Sequence, residues 1–212
     1  MKAKKSIVET CRADDSAFCR EIVERGWLTE EQMKHAAGLY RLGKSRSDKT
    51  IFWMIDELGI LRDGHVGDAW VSQMLKAREP KFLADWHAEH CLFGLHLIGG
   101  EGGAEGLEPV AIVESERSAV VLSELYPKCL WMATVYPANL NERLLAPLQG
   151  HRVTLFPRTD PTGDTFLSWR EIASQAWRRY RLDISVSTVL EDQATDEQKA
   201  RGIDLLEYLI EN

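Results

Sequence analysis

From residue 110 to the end of the chain, short β-branched runs alternate with longer segments of helical period, and that alternation leaves few folds open. Val110-Ala111-Ile112-Val113 is too brief for a helix and apolar throughout, the pattern of a strand buried on both faces. Glu114 stops the run. Beyond it Ala119, Val120, Leu122 and Leu125 recur at helical spacing, with Ser115 as the expected N-cap and Ser118 three residues on as its partner. Residues 129–133, 152–156 and 182–190 read as three further strands. Helices are expected over 139–148 (bounded at Pro147), 166–179 and 196–211. Strand and helix in such succession imply a parallel four-stranded sheet flanked by helices, an α/β domain over 107–212. Glu114 then sits at the C-terminal tip of a strand and faces a helix N-terminus, the edge at which open α/β sheets bind ligands.

The first half has a different rhythm and predicts a smaller α+β domain over 1–100. Residues 14–25 read as a helix ended by Gly26, and Thr29 with Gln32 forms a capping-box pattern for a second helix to about Ala37. Residues 50–56 and 59–66 are strand-like, and Asp63-Gly64 is a turn dipeptide, so a meander of short antiparallel strands is expected. Residues 70–76 fit either a further strand or a helix. Phe93-Gly94-Leu95-His96-Leu97 reads as strand. The glycine-rich stretch 99–106 carries neither GxGxxG after a strand nor GK[ST], and is expected to be a linker at a domain boundary.

The chain is 44% hydrophobic and 28% charged, which describes a soluble globular protein and not a disordered one. No apolar run reaches the ~18 residues of a membrane span. The first ten residues lack the hydrophobic core of a secretory signal, so the cytoplasm is the expected location, without membrane association. Cys11, Cys19, Cys91 and Cys129 form no CxxC pair, and free buried thiols are expected. A formal net charge of -7 argues against a surface coated for nucleic acid. Two basic clusters nevertheless stand out, one at Arg41, Lys44, Arg46 and Lys49, the other at Arg170, Arg178, Arg179 and Arg181. The plain reading of each is solvated surface. His87 and His90 share a helical face and offer two metal ligands, against the plainer reading of unliganded surface histidines.

The chemistry is expected at strand ends. The strand after the second helical crossover leads into Pro157-Arg158-Thr159-Asp160-Pro161-Thr162-Gly163-Asp164, so Glu114 and Asp160 lie at tips of neighbouring strands and are candidates to share Mg²⁺ or Mn²⁺. The alternative is that Asp160 shapes the turn or caps the following helix. Arg158 stands among these carboxylates. It is expected to relieve their repulsion in place of a metal, or to meet a nucleic-acid phosphate.

VAIVESERSAVVLSEL followed by VTLFPRTDPTGDTF resembles the Toprim domain of primases, topoisomerases and related nucleases. The resemblance spans 107–212, and the β-rich segment 40–98 is similar to the one that precedes Toprim in plasmid- and phage-type primases. It implies a primase-like protein of a bacterial mobile element that acts on or binds DNA in replication. Glu114 then matches the catalytic Glu, Asp160 the second Asp of Asp-x-Asp and metal ligand, and Gly163 the glycine after it. Arg158, Lys44, Arg46 and Lys49 become candidate contacts to DNA. The sequence departs from the pattern in four places: Arg158 replaces the first Asp, Ser115 replaces a glycine, Ser118 stands where many primases have an acidic residue, and Thr134-Val135-Tyr136-Pro137 occupies the place of a glycine-rich turn. Three readings follow: a Mg²⁺- or Mn²⁺-dependent nucleotidyltransferase or nuclease, a non-catalytic Toprim module that binds nucleic acid or a replication partner, and an unrelated nucleotide- or ligand-binding α/β protein.

Overall fold

The computed structural model describes residues 2–78, 90–99 and 108–212. The chain divides into two compact units, Met1–Gly103 and Ala104–Asn212. The candidate metal ligand His87 and the glycine-rich stretch 100–106 lie outside the described residues.

The first unit opens with three helices, α1 (Lys2–Cys11), α2 (Ala17–Glu24) and α3 (Glu30–Leu39). Thr29 and Gln32 close the expected capping box on α3, each side chain bonding the other's backbone N–H. Strands β1 (Gly43–Lys44), β2 (Thr50–Ile55), β3 (Leu61–Val66) and β4 (Ala69–Trp70) then form an antiparallel sheet in chain order. Every residue of β2 is buried, because both faces of the strand are covered. Ile51, Trp53 and Ile55 pack with Val8 of α1 and with Val71. On the other face Phe52 meets Phe18 of α2 and the ring edge of Phe93, which stacks on Tyr40 at 5.0 Å. Alternate side chains of one strand thus supply two half-cores.

Two local expectations are corrected here. Asp63-Gly64 is no turn: both residues lie inside β3, and the reversal before them is made at Asp56–Gly59, where the Asp56 carboxylate accepts from the N–H groups of Leu58 and Ile60. Gly64 is small for a packing reason, since a Cβ there would lie 2.6 Å from Cε3 of Trp53. Residues 93–97 are likewise not a strand. Gly94 takes a positive φ of 84° and starts a single 3-10 turn, Leu95–Ile98. The stretch after β4 settles as a helix, α4 (Val71–Arg78).

The second unit is a parallel sheet of β5 (Val110–Val113), β6 (Leu130–Ala133), β7 (Arg152–Leu155) and β8 (Asp183–Val186), in the order β6-β5-β7-β8. Helices α5 (Glu116–Leu125), α6 (Glu142–Leu145) and α7 (Asp164–Tyr180) connect the strands, and α8 (Val189–Gln193), α9 (Asp196–Arg201) and α10 (Leu205–Glu211) close the chain. The mixed α/β class and the helix-flanked parallel sheet are as the sequence implies. The connections are more broken than expected. Residues 139–148 hold only the one-turn α6 between two 3-10 turns, residues 182–190 hold β8 and the start of α8, and the closing helix is cut at Gly202, whose φ of 65° ends α9.

The strand order fixes where a site can form. The chain leaves β5 toward β6 on one side, then passes back over β5 to β7 and on to β8 in the other direction. Right-handed crossovers put connections of opposite direction on opposite faces of the sheet. The loops leaving β5 and β7 therefore part, and a crevice opens between those two tips.

Candidate functional site

Glu114 and Arg158 straddle that crevice. Glu114 follows the last residue of β5, and its backbone carbonyl accepts from Val135 N at 2.8 Å, which extends the β5–β6 ladder past the strand end. Its side chain is only 13% exposed and lies with Oε1 3.5 Å from Nη1 of Arg158, whose side chain keeps 39% exposure. Burial pushes the Glu114 carboxyl up to about 7 against the pull of the guanidinium, with Asp204 and Glu116 adding to the rise. A carboxyl that titrates near neutrality and a half-exposed cation thus share the ligand edge of the sheet.

The surroundings hold Arg158 in place. Thr159 is fully buried and donates through its backbone N–H to Ile203 O at 2.9 Å and through its hydroxyl to the same oxygen at 3.2 Å. Gly202 makes room: a Cβ there would come within 2.5 Å of Nη2 of Arg158. The loop after β7 is therefore clamped to the α9–α10 junction, which limits the directions open to the guanidinium. Ser118 serves the same junction. Its hydroxyl donates to the carboxylate of Asp204, the N-cap of α10, and so ties α5 to α10. Ser115 occupies the N-cap position of α5 in extended backbone but makes no capping bond, and the expected Ser115–Ser118 pairing is replaced by the Ser118–Asp204 bond.

The tip of β6 is under strain. Val135 has a φ of 73°, a left-handed conformation that a β-branched residue adopts at a cost of about 1–3 kcal/mol. Beside it the Thr134 hydroxyl is buried without a hydrogen-bond partner. Glycine would take this backbone freely, and valine is tied into it by its N–H bond to the carbonyl of Glu114.

Asp160 has another task. Its Oδ1 accepts from Thr162 N, the Thr162 hydroxyl and Asp164 N at 3.0, 2.8 and 3.1 Å, and its Oδ2 accepts from Thr165 N at 2.8 Å. Burial opposes its ionisation, but these bonds outweigh it and hold the carboxyl well below its usual range. Asp160 thus organises the entry into α7 and satisfies N–H groups of its first turn. As a Mg²⁺ site the two carboxylates do not fit in this arrangement: Glu114 faces a guanidinium, and the oxygens of Asp160 are already engaged by four donors. Among the described residues no three His, Cys, Asp or Glu gather as metal ligands.

The remaining candidates fall in the first unit. Lys44 Nζ pairs with Asp15 at 2.6 Å, and Arg20 neutralises Asp48, so part of the 41–49 cluster is spent on surface ion pairs. Arg46 and Lys49 lie in the turn between β1 and β2, and both are exposed. His90 lies against Trp70 with ring centroids 3.9 Å apart, and its Nε2 is 3.4 Å from the buried carboxylate of Asp63.

Sequence reasoning reached Glu114, Arg158 and Asp160 but missed Asp204, Gly202 and the strain at Val135. A signal existed for Gly202, a glycine breaking an otherwise helical pattern. Asp204 has the signature of an N-cap with Glu207 three residues on.

A family model described as "Domain of unknown function (DUF6371)" matches residues 16–159. That span takes in Glu114 and Arg158 and ends one residue before Asp160. No curated protein matches the chain.

Proposed function

The chain belongs to the DUF6371 family, and we propose that this member is a primase-like Toprim protein that binds nucleic acid through the edge of its parallel sheet without metal catalysis. The observation that carries the reading is the Glu114–Arg158 pair at the point where the β5 and β7 loops diverge. Arginine recognises phosphate in a planar, bidentate way, and its charge does not depend on pH in the working range. At this position it relieves the charge of Glu114 and keeps part of its surface for a phosphate. In a protein of the kind carried by bacterial mobile elements, such a module would hold a single strand or a primer–template for replication proteins.

Glu114 adds a condition to that binding. When protonated it leaves Arg158 free of its counter-charge; when ionised it competes with the phosphate for the same guanidinium. Affinity for a single strand is therefore expected to fall between about pH 6 and pH 8 in the wild type and to stay level in Glu114→Gln. The direct test is fluorescence anisotropy of a labelled single-stranded oligonucleotide, in EDTA and in Mg²⁺. Equal binding in both, weakened by Arg158→Glu, supports the reading. Binding that requires Mg²⁺, or that ignores Arg158→Glu, overturns it.

One observation favours a second reading. Glu114 titrates near neutrality beside the strained tip of β6, as a proton-transfer group would, and a metal-dependent nucleotidyltransferase or nuclease needs such a group. That reading requires Arg158 to leave Glu114 and Asp160 to release its donors. Saturable Mn²⁺ binding in calorimetric titration, abolished by Glu114→Gln, would favour it. Binding that first emerges in Arg158→Asp would show that the arginine takes the place of the cation.

A further inference from the structure

The second basic cluster is not absorbed by the crevice. Helix α7 carries Phe166, Arg170, Ala173, Ser174 and Trp177 on one stripe about 100° wide, and Arg181 follows at its C-cap. That stripe and the outer strand β8 enclose an open groove of about 580 Å³. Ile184 and Ser185 of β8 and Thr188 just beyond it form the opposite wall. No carboxylate lines the groove, although the chain as a whole is acidic.

Its aromatic residues are arranged for stacking and not for core packing. Trp177 is 52% exposed, while Trp169, on the sheet-facing side of the same helix, is buried. The guanidinium of Arg170 lies over the Phe166 ring at 5.6 Å and that of Arg181 over Trp177 at 5.3 Å. Each pair sets a flat π surface beside a fixed positive charge. The two rings are eleven residues apart, about 16 Å along the helix axis. The small Ala173 and Ser174 leave the floor between them open.

The groove and the crevice share one edge of the sheet. In a parallel sheet with connecting helices, α7 begins and β8 ends at the C-terminal edge, the edge that holds Arg158. Phe166 is in the first turn of α7, and Thr188 is two residues past β8. One end of the groove therefore lies at that edge, and the other runs down the flank of the sheet.

We propose that the α7–β8 groove is a binding track for single-stranded nucleic acid, with bases stacked on Trp177 and Phe166 and phosphates met by Arg170 and Arg181. This proposal rests on the nucleic-acid reading of the crevice and extends it along one flank. Duplex is the poorer occupant, because its bases are already stacked and offer no free face to the two rings. Hydroxyls of Ser185 and Thr188 provide polar contacts without base specificity, so the track tolerates any sequence.

The test is anisotropy of a labelled oligothymidylate against the full chain at several salt concentrations, with Trp177→Ala, Arg170→Ala and Arg158→Ala compared to wild type, and sedimentation run on each. Trp177 and Arg170 are exposed, so their variants are expected to keep the wild-type melting temperature. Trp177→Ala should weaken binding about tenfold with an unchanged salt slope, since stacking releases no counterions. Arg170→Ala should weaken it a few-fold and flatten the slope. If wild type binds and only Arg158→Ala weakens it, the track is wrong while the crevice reading stands. If wild type does not bind, both fail. If Trp177→Ala leaves DNA binding intact but dissociates a dimer, the groove holds a second copy of the chain and the proposal is overturned.

Discussion

Burial costs the Glu114 carboxylate more than Arg158 returns, which leaves its pKa at about 7 in the folded chain against an ordinary 4.5. Between those two values the native state holds a proton that the unfolded chain has released, so stability falls as pH rises through that window and is level above it. The expected loss is about 3 kcal/mol. Glu114→Gln removes the charge and keeps the shape, so urea unfolding should find it equal to wild type near pH 4 and more stable near pH 8. A variant less stable than wild type near pH 8 would mean that the ion pair, not desolvation, dominates. Asp160 has the opposite sign. Its carboxyl is held low by donors from the start of α7, so its contribution is present above the ordinary pKa of 3.8 and is lost as pH falls below it. Asp160→Ala is expected to lose about 1 kcal/mol at neutral pH, the usual cost of a lost cap, and to leave Mn²⁺ titration unchanged. These two carboxylates were both legible in the sequence as strand-end groups, and the turn-shaping or capping role of Asp160 was one of the two readings open there. The choice between its readings was not legible, because it follows from which N–H groups the loop folds toward the carboxylate.

Elements were legible where a local pattern sufficed and illegible where a distant side chain decided. The buried run of β5, the amphipathic stripe of α5 and the capping box of α3 are local patterns, and each element stands where the pattern puts it. Asp63-Gly64 has the composition of a turn, yet Gly64 is mid-strand because the indole of Trp53 lies over it from the neighbouring strand. That close approach has a measurable consequence. Gly64→Ala would drive a methyl into the ring at 2.6 Å and into Val71 at 3.0 Å, and is expected to lower stability by about 1–3 kcal/mol in urea unfolding. A neutral substitution would show that Trp53 can shift and that the half-core is looser than its burial implies. Ser118→Ala tests the other kind of distant tie. Loss of its bond to Asp204 is expected to cost about 1 kcal/mol and to loosen α10, read as faster amide exchange in that helix. The break at Gly202 has a local cause: its φ of 65° ends the helix in a conformation that glycine adopts freely, and the missing Cβ also leaves room beside Arg158.

On the scale of the molecule, two units with separate cores carry different sheets, antiparallel in the first and parallel in the second. Among the described residues no helix is long and apolar enough to cross a membrane. The parallel sheet alone has a topological reason for a site, because only there do loops of neighbouring strands diverge. The alternation of strands and helices in the sequence implied the parallel sheet, but strand order is not written in alternation. The order β6-β5-β7-β8 is what brings the residue after β5 beside the loop after β7. The proposed role of this crevice is to meet a phosphate through Arg158 where a Toprim enzyme would hold a cation. The salt dependence of single-strand binding in wild type and Arg158→Ala tests it. Without the arginine one phosphate goes unneutralised, which should reduce the slope of log K against log salt by about 0.7 and lower the affinity. Identical slopes and affinities in the two proteins would contradict the claim and remove Arg158 from the binding surface.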